Sequence, residues 1–211
     1  MADRTPKTAA QLYNALGAAY EDAFGGQPAL CATLEHLLPL LPRRAKILDI
    51  GSGTGALALT CADAGHDVTG YDVSEEMIKL SRSRVPTAKF ELKDMRDLDF
   101  DEAWDAVLVF FSMLQLPRVD QDAMISRFAQ WLTPGGYLVL ATVPRDNPGK
   151  VGEWMGHWVQ TYSYPTPVLR QRIESTGLRV VRETFVEFEP ASDQAGAEPQ
   201  IYFTALKPDP S

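Results

Sequence analysis

Ile47-Leu48-Asp49-Ile50-Gly51-Ser52-Gly53-Thr54-Gly55 is an apolar run that carries an acid near its end and then breaks into three glycines at alternate positions. Ala56-Leu57-Ala58-Leu59 follows, so the stretch reads as strand, tight turn and helix. Glycine serves where the backbone must take positive φ, or where a ligand lies against a main chain free of Cβ atoms. The N–H groups that open the helix face the same crevice and suit a carboxylate or a phosphate. These features together make a nucleotide-binding turn.

Two cofactors fit that turn by spacing alone. Gly51, Gly53 and Ala56 satisfy G-x-G-x-x-G/A, and Asp72 follows about 20 residues on, where a dinucleotide fold keeps its ribose acid. Asp49 inside the strand end, together with Gly55, gives the form E/D-x-G-x-G-x-G. That form resembles the first motif of the class I S-adenosylmethionine-dependent methyltransferases, whereas a dinucleotide strand is apolar up to its first glycine. The resemblance implies S-adenosyl-L-methionine as cofactor and S-adenosyl-L-homocysteine as product. In that family Asp49, Gly51, Ser52, Gly53, Thr54 and Gly55 would lie against the amino acid portion of the cofactor.

A chain of 211 residues with 45% hydrophobic composition can bury one sizeable α/β core. No apolar run reaches the ~20 residues of a membrane span. The start, Met1-Ala2-Asp3-Arg4-Thr5-Pro6, lacks the succession of a signal peptide, so a cytoplasmic protein is expected. Cys31 and Cys61 fall in helical patterns without metal-ligand spacing and read as reduced. The net charge is −8 and the 20 Lys and Arg residues are scattered. Nucleic acid is thereby disfavoured as a partner, because polyanion binding draws on clustered bases. A small molecule is the expected acceptor, and nothing in the sequence indicates the oligomeric state.

Ala9 to Phe24 has helical periodicity, and Tyr13 and Tyr20, seven residues apart, fall on one side. Two aromatics on a packed face is the plain reading. The segment also resembles the lid helix of small-molecule methyltransferases, where such tyrosines approach the cofactor. After Gly25-Gly26-Gln27-Pro28 a helix resumes over Ala29 to Leu41, with His36 on its surface. Strands and helices then alternate: Lys46 to Ile50, Gly55 to Ala64, Asp67 to Asp72, Ser74 to Arg84 and Ala88 to Leu92. Such alternation predicts right-handed βαβ units in a parallel sheet.

Asp72 ends the second strand, placed to accept from two ribose hydroxyls. Within Gly70-Tyr71-Asp72-Val73-Ser74-Glu75-Glu76-Met77 it resembles the family's second motif, which makes Val73 and Met77 walls for the adenine. By the same resemblance Asp94 would accept the adenine amino group, with the Met95 main chain at a ring nitrogen. Trp104 to Phe111 predicts a strand buried on both faces. Its end, Phe110 and Phe111, would border the reactive methyl. The loop that follows lacks the Asp/Asn-Pro-Pro-aromatic form of nucleic-acid amino methyltransferases and the acid of metal-assisted ones. Many small-molecule relatives carry a histidine pair where this chain has Gln115-Leu116, so the general base is left unidentified.

A helix over Asp120 to Trp131 leads through Leu132-Thr133-Pro134-Gly135-Gly136, similar to a late element of the family, into a strand over Tyr137 to Val143. From Pro144 to Pro167 the pattern lapses, and Trp154, Trp158, Tyr162 and Tyr164 crowd around His157. An aromatic lid is expected there, with Gln115, Trp154, His157, Trp158 and Tyr162 as candidate acceptor contacts and His157 as a weak catalytic candidate. Glu153-Trp154-Met155-Gly156 is similar to the acidic loop of protein arginine methyltransferases, but it follows the fifth strand rather than the fourth. A helix over Thr166 to Thr176, strands over Leu178 to Phe188 and Gln200 to Leu206, and a frayed end from Lys207 complete the chain.

The sequence thus predicts an α/β, Rossmann-like class I methyltransferase fold: a seven-stranded, mostly parallel sheet with an antiparallel last strand, helices on both faces and an N-terminal helical lid. One domain over residues 1–211 is expected, with a helical cap at 8–42, a cofactor-binding core at 44–143, an aromatic lid insertion at 144–167, and a C-terminal helix and strand pair at 168–207. The implied activity is methyl transfer to an O, N, S or C atom of a small molecule, a secondary metabolite for instance. A cyclase or isomerase keeping the same cofactor, a cofactor-binding regulatory protein and, more distantly, a nicotinamide oxidoreductase are the alternatives.

Overall fold

The computed structural model describes residues 4–100 and 103–210; Met1–Asp3, on which the reading of the chain start partly rests, and Ser211 lie outside the described residues. At its centre is β1 (Lys46–Ile50), whose last four residues are buried on both faces. It pairs in parallel with β2 (Asp67–Asp72) on one side and β4 (Trp104–Phe110) on the other. The remaining strands are β3 (Lys89–Leu92), β5 (Leu132–Thr142), β8 (Arg179–Phe188) and β9 (Glu198–Leu206), and the sheet order is β3-β2-β1-β4-β5-β9-β8. Only β9 runs antiparallel, to both β5 and β8. Strand order reverses between β1 and β4, and the carboxyl ends of strands flanking such a reversal form a ligand crevice.

Helices α4 (Ala56–Asp63) and α5 (Glu75–Arg84) cover one face together with α3 (Pro28–Leu37). The other face is packed by α6 (Arg118–Trp131) and α7 (Thr166–Glu174), whose Met124, Phe128, Leu169 and Ile173 meet Val107, Leu138 and Phe203 of the sheet. Ser74 caps α5 by accepting from Met77 N at 3.2 Å, as the sequence predicts.

Most boundaries fall within two residues of the sequence expectation, and four features differ from it in substance. The helix expected over Ala9 to Phe24 is two, α1 (Ala9–Leu16) and α2 (Ala19–Phe24), broken at Gly17, whose φ of 49° is open to glycine. The following helix ends at Leu37 and tightens into a single turn over Leu38–Leu40, because Pro39 has no N–H to continue the ladder. Leu132 already pairs with Trp104, so Thr133-Pro134-Gly135-Gly136 is an irregularity within β5 rather than its approach. Lys207 does not fray: its ammonium donates to the carbonyls of Ala129, Gln130 and Leu132 at 2.7, 3.3 and 2.7 Å.

The larger difference is the segment 144–167. In place of irregular chain it forms a hairpin of β6 (Asn147–Trp154) and β7 (His157–Ser163), a second sheet of two strands. Trp154 pairs with His157 across a two-residue turn, Met155-Gly156, in which both residues have positive φ (51° and 72°). That is the twist a tight hairpin requires, but with Met in the first position the usual Asn-Gly signal is missing. The Lys7 N–H donates to Trp158 O at 2.8 Å, which ties the chain before α1 to this hairpin. Leu12, Leu16, Ala23 and Phe24 of the cap bury themselves against Met155 and Val159.

Candidate functional site

The crevice begins at the glycine turn. Gly51, Gly53 and Gly55 all have positive φ, at 71°, 53° and 80°. A Cβ on Gly51 would collide with Ser112 Cβ, and one on Gly55 would come within 3.0 Å of Ser81. A Cβ on Gly53 would meet nothing within 4 Å. Two glycines are therefore required by packing, and the third keeps a surface bare toward open space.

Asp72 is held at the tip of that turn. Gly53 N and Ser74 N donate to its two oxygens, each at 2.9 Å. Burial raises the Asp72 pKa and these backbone donors oppose the rise. Beneath the turn lies Asp49, 1% exposed, with no hydrogen-bond partner for either carboxylate oxygen. Burial, and next the charge of Asp72, push its pKa up to about 7. A buried unpaired carboxylate is costly, so Asp49 is poised to gain from a cationic group.

The helical cap closes the crevice. Asn14 Oδ1 accepts from Ser74 Oγ at 2.7 Å and from Glu76 N at 3.2 Å, docking α1 on the start of α5. Arg84 reaches Glu21 of α2 at 2.7 Å and Thr54 Oγ1 of the turn at 2.8 Å. Tyr13 and Tyr20 meet edge to face, with ring centroids 5.4 Å apart, and both line the crevice. Their hydroxyl pKa values are raised, first by burial and then by neighbouring charges that include Asp72 and Glu198.

Val73, Met77, Met95, Phe110 and Phe111 also line this crevice. Ser52, Thr54 and Gly55 shape the turn without lining the cavity, and Asp49 sits under it. Asp94 departs from expectation. Its carboxylate is clasped by Arg96, with Arg96 Nη2 at 2.7 Å and Arg96 Nε at 3.0 Å, and it also accepts from Arg96 N at 2.9 Å. The guanidinium holds its pKa low, and Asp94 is not a lining residue. Sequence reading missed Ala9, Tyr71, Lys93 and Ser112, which do line the crevice. The position of Ser112, just past the end of β4, is the signal that could have found it.

A second cavity of about 420 Å³ adjoins the first, and Tyr13, Tyr20 and Phe111 belong to both. Gln115 and Trp154 line it. The Gln115 amide donates to Lys7 O at 3.0 Å and leaves its Oε1 buried without a partner. Trp154 packs on Phe24 and Tyr20, with centroids 5.3 and 6.4 Å apart. His157, Trp158 and Tyr162 line neither cavity. Alternate residues of a strand face opposite sides, and Val159, Thr161 and Ser163 are the β7 residues that line the second cavity. Trp158 lies instead under the Arg4 guanidinium at 5.1 Å. Gln27, Arg145, Lys150, Glu198 and Gln200 also line the second cavity, and no motif in the sequence points to them.

Residues 47–136 match the family model described as a methyltransferase domain. That stretch is a methyltransferase domain, and the fold around it is the Rossmann-like class I methyltransferase fold. The chain is 32% identical over 212 residues to the biotin biosynthesis bifunctional protein BioHC of Cellvibrio japonicus, an alignment covering 95% of this chain and 39% of that protein. It is 33% identical over 101 residues to the dTDP-3-amino-3,6-dideoxy-alpha-D-glucopyranose N,N-dimethyltransferase of Streptomyces fradiae, covering 47% and 40%. The chain thus spans about two fifths of the length of these curated relatives. Among solved structures, the Burkholderia thailandensis 1,6-didemethyltoxoflavin-N1-methyltransferase superposes with a TM-score of 0.69 at 20% identity, covering 97% of this chain and 93% of that one. That superposition shows a shared fold over nearly the whole of both chains.

Proposed function

We propose that the chain is an S-adenosylmethionine-dependent methyltransferase acting on a small molecule held in the second cavity. The carrying observation is the junction of the two cavities at Tyr13, Tyr20 and Phe111. A cofactor in the crevice and an acceptor in the larger cavity would meet there. The residues fit the cofactor. The orphaned Asp49 carboxylate suits its ammonium, the bare main chain at Gly53 leaves room for its amino acid portion, and Asp72 keeps acceptor capacity for ribose hydroxyls. Val73, Met77 and Met95 offer apolar walls to the base. Because Arg96 engages Asp94, recognition of the adenine amino group would fall to main-chain atoms near Met95 unless that clasp opens.

When bound, the cofactor supplies an activated methyl group with its leaving group attached. The protein's contribution is orientation and a dry pocket. Tyr13 and Tyr20, kept protonated by burial, wall the junction and exclude water from it. The names of the relatives place their own acceptors among small molecules, including an amino sugar nucleotide, and that supports the same class here. A cytoplasmic location accords with the two unpaired cysteines.

Calorimetric titration with S-adenosylmethionine, S-adenosylhomocysteine and NADH tests the reading. Binding of the first two, followed by acceptor screening for a gain of one methyl in product mass, is the expected result. Binding of NADH alone would overturn it.

A further inference from the structure

The second cavity is walled on one side by β9. Glu198, at the start of β9, is half-buried and lines the cavity beside Tyr13, Tyr20, Phe24 and Trp154. It is held in place: Gln200 Nε2 donates to Glu198 Oε1 at 3.1 Å. Gln200 is 1% exposed and fixed in turn, because the buried Tyr202 hydroxyl lies 2.6 Å from Gln200 Oε1 and 2.9 Å from Gln27 Oε1. Gln27 closes the chain by donating to Phe24 O at 3.0 Å. A buried network of this kind fixes one carboxylate against a set of aromatic faces.

Charge in the cavity is divided by depth. Arg145, Lys150 and Glu153 are exposed and form the rim, while Glu198 lies deeper among the aromatic rings. Its pKa is raised, mainly by burial, with the Gln200 hydrogen bond and the Arg145 charge pulling the other way. Tyr13, Tyr20 and Tyr202 are the other titratable groups that feel its charge, and all three are kept neutral by burial.

We propose that Glu198 is the acceptor-binding carboxylate and that the acceptor is an amine, taken up as its ammonium between Glu198 and the faces of Tyr20 and Trp154. Aromatic faces beside a carboxylate favour an ammonium over a neutral group of the same shape. Glu198 is also placed to prepare the nucleophile: one N–H bond breaks with its electron pair staying on nitrogen, and the proton passes to the carboxylate. Arg145 and Lys150 at the rim fit a carboxylate or phosphate elsewhere on the same molecule. This inference rests on the proposed methyltransferase reading and names the acceptor class for that site.

The test uses choline, which carries the trimethylammonium that exhaustive methylation would leave, and its neutral isostere 3,3-dimethyl-1-butanol. Each is titrated into the protein, alone and saturated with S-adenosylhomocysteine, for wild type and Glu198→Gln. The expected result is choline binding about tenfold tighter than the isostere in wild type. That preference is lost in the variant, while S-adenosylhomocysteine affinity is kept and the melting temperature does not fall. Equal affinity for the two probes, no binding of choline, or a preference that survives in Glu198→Gln would overturn the inference. Failure of S-adenosylhomocysteine to bind would strike the cofactor reading instead, and titration of the protein alone would still decide this site.

Discussion

The main-chain N–H of Gly53 donates to Asp72 Oδ2 across 2.9 Å, joining the tip of the glycine turn to the acid that ends β2. With Ser74 N on the other oxygen, the carboxylate is oriented before any ligand arrives. Such preorganisation lowers the cost of binding. Replacing Asp72 with Ala removes the acceptor and frees the turn. Loss of a charge-assisted hydrogen bond of ~1.5–3 kcal/mol corresponds to roughly 10- to 100-fold weaker S-adenosylhomocysteine binding. Calorimetry measures it, and unchanged affinity would remove Asp72 from the site.

Two glycines of the same turn make opposite predictions. Gly51→Ala forces a Cβ into Ser112 at positive φ, so the fold pays: the melting temperature should drop by several degrees or expression should fail. Gly53→Ala has open space around its Cβ and only the backbone conformation to strain, at about 1–2 kcal/mol. The folded variant should nonetheless bind S-adenosylhomocysteine at least about tenfold more weakly, because the methyl stands where the cofactor would lie. If Gly53→Ala binds like wild type, that bare surface is not the cofactor's.

The central sheet was legible because β1 and β4 are largely apolar runs, and because β2, which is not, is bounded by the Gly65-His66 turn before it and the Ser74 cap after it. Lys46–Ile50 and Asp67–Asp72 fall where the sequence puts them. The hairpin was not legible. Gly149 and Gly152 interrupt the alternation of β6, Met155 occupies a turn position usually given to Asn or Gly, and the aromatics that marked the segment sit on both of its faces. The cofactor crevice could be read because its residues lie at strand ends on a turn with its own signature. Asp94 shows the limit of that reading, since a neighbouring Arg96 claims it. Glu198 and Gln200 come from the far end of the chain and reach the site only through the antiparallel return of β9, which pairs Glu198 with Phe188 rather than with any motif.

His157 tests how far the aromatic cluster should be trusted. It sits at the hairpin turn opposite Trp154 in the register and lines neither cavity. His157→Ala should leave kcat and KM within about twofold once an acceptor is found, whereas Trp154→Ala should raise the acceptor KM several-fold by opening the wall that Phe24 and Tyr20 share with it. A loss of kcat in His157→Ala with intact folding would restore it as a base.

Asp49 couples stability to pH in the direction opposite to a salt-bridged acid. Its carboxyl holds its proton to about pH 7 in the folded chain, against an ordinary value of 3.8. Between those values the native state carries a proton that the unfolded chain has released, so stability falls as pH rises. The whole interval amounts to roughly 4 kcal/mol, on the order of 1.4 kcal/mol for each pH unit. Asp49→Asn removes this cost without removing the shape. Its melting temperature should match wild type near pH 4 and exceed it increasingly up to about pH 7, after which the gap stays constant. Asp72 and Glu198 titrate in both proteins and largely cancel in the difference, although Asp72 also feels the missing charge. The same carboxylate should favour a cationic group once ionised, so wild-type affinity for S-adenosylhomocysteine should strengthen from pH 6 to 8, with proton release on binding at the lower pH. The Asn variant should bind weakly and with little pH dependence. Scanning fluorimetry across pH and calorimetry in buffers of different ionisation enthalpy measure the two halves. Parallel melting curves for wild type and variant would mean that Asp49 is ionised and paired in the free protein, and the stored cost assigned to it would not exist.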